Sequence, residues 1–79
     1  MTSFTKDERF IIKLYELTAH KENRFINRYE VGAAINQSNK MVDTICAQLV
    51  RANFIKKGQE NEIYLTAQGE QLAMRLLEE

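Results

Sequence analysis

Hydrophobic residues recur along the chain with the three- and four-residue spacing of amphipathic helices. In the first such block, Thr5 and Glu8 have the spacing of a capping box, which marks the start of a helix. Phe10 and Leu14 then fall on one face, with further apolar residues beside them. This pattern predicts a helix over 6–19 that turns a broad apolar face toward a core.

A shorter helix is predicted over 28–35, where Asn27 and Glu30 again have capping-box spacing. Gly32 lies inside this segment, although glycine costs about 1 kcal/mol relative to alanine in a helix interior. The glycine therefore suggests that another stretch of backbone comes very close to this helix.

A third helix is predicted over 39–52, capped by Ser38 after a tight break at residues 36–37. Its apolar stripe follows the i, i+3, i+4, i+7 pattern and consists of Val42, Ile45, Cys46 and Leu49. Asn53 comes next, and asparagine readily adopts the left-handed conformation that ends helices. We therefore expect the helix to stop at this residue.

The rest of the apolar pattern predicts short strands and a last helix. Segments 54–57 and 62–65 have strand character and are joined by a polar turn, which indicates a hairpin. The apolar piece 24–26 is predicted to be a separate short strand. Thr66 caps a helix over 67–79, whose apolar face consists of Leu72, Ala73, Leu76 and Leu77. The predicted fold is mainly α with a small antiparallel β-sheet, in the order α-β-α-α-β-β-α.

Two helices joined by a tight turn and followed by a hairpin resemble a winged helix-turn-helix domain. The stretch Val31-Gly32-Ala33-Ala34-Ile35, the Ser38 cap and the exit Asn53-Phe54-Ile55 are similar to the motif of these domains. Downstream, Leu65-Thr66-Ala67-Gln68-Gly69 is similar to the Leu-Thr-x-x-Gly that opens the helix after the wing in MarR-like bacterial regulators. The resemblance spans residues 24–72. It implies a DNA-binding transcriptional regulator that places helix 39–52 in the major groove.

The sequence departs from this family pattern in three places. Asn53 stands where the family usually has glycine, which the fold tolerates. The long terminal helices by which full MarR-like proteins dimerise and enclose a ligand pocket are not evident, so a ligand-sensing role loses support. The turn at 58–62 carries two glutamates where many DNA-binding wings carry arginine or lysine. This weakens the expectation that the wing tip enters a minor groove.

Charge along the chain is uneven although the net charge is zero. Residues 21–57 hold seven basic and three acidic side chains, a net of +4, and the remaining segments hold four basic and eight acidic side chains, a net of −4. A basic middle with acidic ends is compatible with one face that meets phosphate. Mixed charge that merely solvates a small domain is an equal alternative on this evidence.

Composition excludes several other classes of protein. The 79 residues are enough for one domain, 1–79, and the apolar runs are too short for a membrane span. A single cysteine, Cys46, excludes an internal disulfide, and with His20 as the only histidine no Cys/His metal cluster forms. No nucleophile–base pair or phosphate loop is present, so neither an enzyme nor a cofactor is expected. The absence of a signal-like N-terminus favours a cytoplasmic location.

Two groups of residues are candidates for contacts with double-stranded DNA. The base-reading candidates lie off the apolar stripe of the third helix and are Asn39, Lys40, Asp43, Thr44 and Gln48, with Ala47 between them. The phosphate-contacting candidates are Arg24, Arg28, Ser38, Arg51, Lys56 and Lys57. Lys56 and Lys57 alternate along a strand, so at most one of them faces a given partner. Asp43 is ambiguous, because a carboxylate accepts from a cytosine amino group but repels phosphate.

Two functions stay open on the sequence alone. One is a small DNA-binding regulator, for which both a monomer and a homodimer formed through the C-terminal or N-terminal helix stay open. The other is a winged helix used as a protein–protein interaction module without nucleic acid. The basic middle and the polar helix face favour the first function, whereas the neutral net charge and the acidic turn favour the second.

Overall fold

The helices and strands follow the predicted order. A computed structural model describes residues 3–19 and 22–78. The last helix, predicted over 67–79, ends at Leu77 with Glu78 as its C-cap. The elements are α1 (Lys6–Thr18), β1 (Ile26–Asn27), α2 (Arg28–Ala34), α3 (Asn39–Arg51), β2 (Ile55–Lys57), β3 (Glu62–Leu65) and α4 (Ala67–Leu77). The prediction of a mainly α fold in the order α-β-α-α-β-β-α is confirmed.

The sheet is antiparallel, with strand order β1-β3-β2. Ile26 lies opposite Ile63, and Ile55 lies opposite Leu65, so all four apolar side chains turn to the core. The prediction of a strand over 24–26 was wrong in its bounds, because pairing with β3 begins only at Ile26 and continues to Asn27.

The core lies between the sheet and the helices. The predicted stripe of α3 is confirmed, since its four apolar side chains are all buried. On α4, Ala73 and Leu76 are buried, but Leu77 is 47% exposed, so its placement on the core face was wrong. One residue further along a helix turns about 100° away, which carries Leu77 off the face that Leu76 occupies.

Local hydrogen bonds set the helix starts. Thr5 and Glu8 form the predicted reciprocal capping box, and the Ser38 hydroxyl accepts from the Met41 N–H. The Asn27 side chain caps α2 by accepting from the Tyr29 N–H at 2.9 Å. This bond spans two residues, so the predicted capping box with Glu30 is replaced by a tighter Asx turn.

Gly32 allows α2 and α3 to touch. A Cβ atom at this position would overlap the Val42 side chain of α3. The expectation of a close neighbour at Gly32 is confirmed, although the nearest atom belongs to a branched side chain and not to the backbone. The glycine still explains the contact between the two helices, because Val42 is fully buried against it.

The junction of α3, the hairpin and α4 is held by side-chain hydrogen bonds. Asn53 has a φ of 66°, which confirms the left-handed end of α3. Its amide donates to Gln68 Oε1 at 2.8 Å, and its carbonyl accepts from the Thr66 hydroxyl at 2.7 Å. Thr66 also caps α4 by accepting from the Gly69 N–H. These bonds fix where the wing ends and α4 begins.

Cys46 is fully buried in the core, as its place on the apolar stripe predicts. Burial raises the pKa of the Cys46 thiol to about 11, because the thiolate would lose its hydration. The thiol therefore stays protonated and packs as a small apolar group.

Candidate nucleic-acid interface

The outer surface of α3 carries a ridge of four exposed residues. Lys40, Thr44, Ala47 and Arg51 recur at intervals of four and three residues, which places them along one side of the helix. This side lies opposite the buried stripe that docks α3 on the core. The ridge contains two cations, a hydroxyl and a methyl group, and it contains no acid. Below, these four residues are called the α3 ridge.

The other predicted base-reading residues flank the α3 ridge. Asn39 is exposed in the first turn, immediately after the Ser38 cap. Gln48 is exposed on the side nearest α1, where it lines a groove with Asp7, Glu8 and other residues. When Thr44 lies at the centre of the ridge, the rotation of the helix places Gln48 on the side nearest the acidic first turn of α1.

Asp43 lies on the opposite flank and is held by α2. Its Oδ1 accepts from the Tyr29 hydroxyl at 2.8 Å and lies 3.8 Å from the Arg28 guanidinium. The hydrogen bond to Asp43 is the largest cause of a raised Tyr29 pKa, with smaller contributions from burial and from the Asp43 charge. The carboxylate that was ambiguous in the sequence thus has two partners within the protein.

Arg28 contacts both α3 and the turn of the wing. Its guanidinium side chain is 11% exposed, although it belongs to the first residue of a surface helix. Its Nε lies 3.5 Å from the Asn61 carbonyl oxygen, and its backbone N–H donates to the same oxygen at 2.9 Å. These contacts leave Arg28 far less accessible than a phosphate-binding arginine is expected to be.

The two wing lysines are exposed and lie on opposite faces of β2. Lys57 follows the inward-facing pattern of Ile55, and it lies opposite Ile63, whose side chain is buried in the core. Lys56 lies opposite Tyr64 on the outer face of the sheet. Of the two, Lys57 therefore lies on the side of the sheet that faces α3.

The wing tip, residues 58–62, has an irregular turn. Glu60 has a φ of 51°, a left-handed conformation that is uncommon for residues other than glycine and asparagine. Both Gln59 and Glu60 are exposed, so the acidic character expected from the sequence is presented to solvent. The wing tip is thus a poor surface for entry into a minor groove.

Arg24 lies apart from α3. Its guanidinium forms a 2.9 Å ion pair with Glu70 of α4, and it lines a hollow with Tyr15 and Thr18 of α1. Of the predicted phosphate contacts, Ser38 and Arg51 lie on or beside α3, whereas Arg24 is grouped with α1 and α4.

Two structural residues were missed in the sequence. Tyr29 holds Asp43 through its hydroxyl group, and Asn61 holds Arg28 through its backbone carbonyl. Both contacts join residues far apart in the chain, so no local spacing indicated them.

The helix-turn-helix α2–α3, the hairpin β2–β3 and the flanking helices together form a winged-helix fold. The crystal structure of SSV1 F-93 has a similar fold, with a TM-score of 0.66 and 23% sequence identity over 96% of this chain and 83% of that one. No family model matches the chain, and no curated protein matches it. The comparison supports the architecture, and the MarR-like subtype stays a prediction.

Among residues 3–19 and 22–78, no helix is long and apolar enough to cross a membrane. Within the same residues, no group of three or more His, Cys, Asp or Glu side chains is placed to hold a metal ion.

Proposed function

We propose that this protein binds double-stranded DNA by placing α3 in the major groove, and that it acts as a transcriptional regulator. The observation that carries this proposal is the α3 ridge, which is exposed, carries two cations and a hydroxyl, and is free of acid along its length. A helix with such a surface fits the width of the major groove, which admits one α-helix. The winged-helix fold supports the same orientation by analogy with other helix-turn-helix proteins.

The side chains of the α3 ridge suit different parts of a DNA site. Lys40 lies in the first turn, the part of a recognition helix that approaches base edges most closely, and its ammonium suits guanine or phosphate. Thr44 offers a hydroxyl and a methyl group to a base or a thymine methyl. Arg51 lies in the last turn, where it suits a phosphate at the groove edge.

Residues beside the ridge extend this proposed surface. Asn39 has the paired donor and acceptor that match adenine, and Lys57 adds a cation from the wing. The carboxylate of Asp43 is expected to repel DNA phosphates less than a free carboxylate would, because Arg28 lies beside it and Tyr29 donates to it.

Binding as a homodimer remains part of the proposal. Two large apolar side chains of α4, Met74 and Leu77, are 43% and 47% exposed. They lie three residues apart on one side of the helix, which is where a second copy would bury apolar surface.

A salt series of binding to mixed-sequence duplex DNA tests the proposal. If the three cations of this surface, Lys40, Arg51 and Lys57, neutralise phosphates, the slope of log K against log salt concentration is expected to be about −3, since each phosphate contributes about −0.9. The matched control is a neutral polymer of similar length, which should not bind. Failure to bind any duplex at low salt would refute DNA binding and favour the protein–protein interaction module.

A further inference from the structure

Three elements of the fold meet at one arginine. Arg28 begins α2, its guanidinium lies 3.8 Å from Asp43 of α3, and its Nε and backbone N–H both contact the Asn61 carbonyl of the wing tip. Tyr29, the next residue, donates to the same carboxylate oxygen of Asp43 at 2.8 Å. The side chains of Arg28, Tyr29 and Asp43 are called the Arg28 cluster below.

The exposed fractions of the Arg28 and Asp43 side chains show how accessible each one is to DNA. The Arg28 side chain is 11% exposed, whereas the Asp43 side chain is 56% exposed. A phosphate could reach Arg28 only after the guanidinium had left Asp43 and the wing. Both Tyr29 and Arg28 contact the Oδ1 atom of Asp43, so a base amino group would have to approach the carboxylate from Oδ2. Contacts within the protein therefore oppose phosphate binding by Arg28, and they commit one oxygen of Asp43 to α2.

We propose that the Arg28 cluster positions the wing relative to α3, so that Arg28 and Asp43 determine specificity without contacting DNA. This inference rests on the proposed binding of DNA by α3. Arginine suits such a role because its planar guanidinium carries several donors in a fixed arrangement, and one side chain can therefore reach a carboxylate and a carbonyl together. If α3 and the wing are held at a fixed spacing before binding, that spacing does not have to be ordered when the protein contacts DNA.

The test uses a duplex that the wild-type protein selects from a random pool, together with an unrelated duplex. Arg28→Ala is expected to keep the wild-type salt slope, because Arg28 neutralises no phosphate. It is also expected to lower the ratio of selected to unrelated binding about tenfold or more, because the guanidinium no longer links α3 to the wing tip and only the backbone N–H of residue 28 still contacts Asn61. A reduction of the slope by about 1, or an unchanged ratio, would overturn the proposal.

Arg51→Ala is the matched control, since it removes an arginine from the exposed α3 ridge. For this variant we expect a salt slope reduced by about 1 and a similar loss of affinity for both duplexes. Both arginine variants lose one positive charge. Arg28→Ala is expected to change the specificity ratio, whereas Arg51→Ala is expected to change the salt slope.

Milder variants keep the test valid if Arg28→Ala fails to fold. Tyr29→Phe removes only the hydroxyl that donates to Asp43, and Asp43→Asn retains an acceptor oxygen but removes the charge. Both are expected to weaken discrimination at several base pairs of the selected site. Loss of discrimination at a single base pair in Asp43→Asn would instead identify Asp43 as a base-reading residue and overturn the proposal.

Hydrogen exchange without DNA separates this inference from the proposed function. In the wing, the Gly58 N–H donates to the Glu62 carbonyl, and the Glu62 N–H donates to the Gln59 carbonyl. Arg28→Lys is expected to speed exchange of both amides about fivefold or more, because a lysine loses the forked contact to α3 and the wing. Faster exchange in a protein that binds no DNA would support the positioning role while the proposed function fails. Unchanged exchange would overturn the positioning role whether or not DNA binds.

Discussion

Gly69→Ala is expected to destabilise this protein strongly, because the added Cβ atom meets backbone that cannot move freely. A Cβ atom at position 69 would overlap the Phe54 carbonyl oxygen and lie 2.9 Å from the Leu65 side chain. The Phe54 carbonyl cannot retreat easily, because it accepts a hydrogen bond from the Thr66 N–H at 3.1 Å. The first turn of α4 would therefore have to move away from the wing.

The expected cost follows from the kind of neighbour that the new atom meets. Forcing an extra carbon into a packed site costs about 1–3 kcal/mol, and a backbone neighbour places the cost at the upper end. The better helix propensity of alanine offsets only about 1 kcal/mol. We expect a net loss of about 2 kcal/mol in the free energy of unfolding, or roughly 8–16 °C in the melting temperature of a domain this small. Thermal unfolding followed by circular dichroism measures it.

Gly58→Ala is the matched control for this prediction. Its Cβ would meet the ring of Phe25 at 2.7 Å, but Phe25 is 41% exposed and has room to shift. The expected loss is therefore below about 1 kcal/mol. If Gly69→Ala were no more destabilising than Gly58→Ala, the close contact between α4 and the start of the wing at Phe54 would be contradicted.

Ala47→Glu is expected to abolish most DNA binding while leaving the fold intact. Ala47 is exposed at the centre of the α3 ridge, where an added carboxylate would face the DNA phosphates. Apposition of like charges across an interface costs several kcal/mol. A loss of about 3 kcal/mol corresponds to roughly 100-fold weaker binding. Stability should change by less than about 0.5 kcal/mol, because the position is on the surface and glutamate is a good helix former.

Ala67→Glu provides the control for charge alone. Ala67 is also an exposed helical alanine, but it begins α4, where a carboxylate suits the helix dipole. Both variants have the same net charge, so a general repulsion of DNA would affect them equally. Fluorescence anisotropy with a labelled duplex should show a large loss only for Ala47→Glu. Equal losses in both variants would argue against a specific contact at α3.

Local sequence patterns were sufficient to predict most of the fold. The cap at Thr5, the apolar stripe of α3 and the left-handed Asn53 each depend on residues within a few positions, and each is confirmed. The face of Leu77 and the cap of α2 were local errors, and the other errors occur where a neighbour comes from elsewhere in the chain. The start of β1 is set by pairing with β3, and the partner of Gly32 is a side chain of α3.

The candidate site was less predictable than the fold. Helical spacing placed Lys40 and Thr44 on an exposed surface of α3, and that placement follows from the same periodicity that buries its stripe. The partners of Arg28 depend on how α2 crosses α3 and on where the wing turns. Neither can be predicted from the spacing of residues along the chain. The sequence therefore shows which residues carry charge, but not which of those charges are paired within the folded protein.

The most direct measurement is an NMR titration of the isotope-labelled protein with duplex DNA. The largest shifts should fall on the backbone amides of α3 from Asn39 to Arg51 and on Lys57 of the wing, since these groups lie nearest the proposed contact. Amides on the exposed sides of α1 and α4 should change little. Shifts concentrated on α1 or α4, with the α3 ridge unaffected, would contradict the placement of α3 in the major groove.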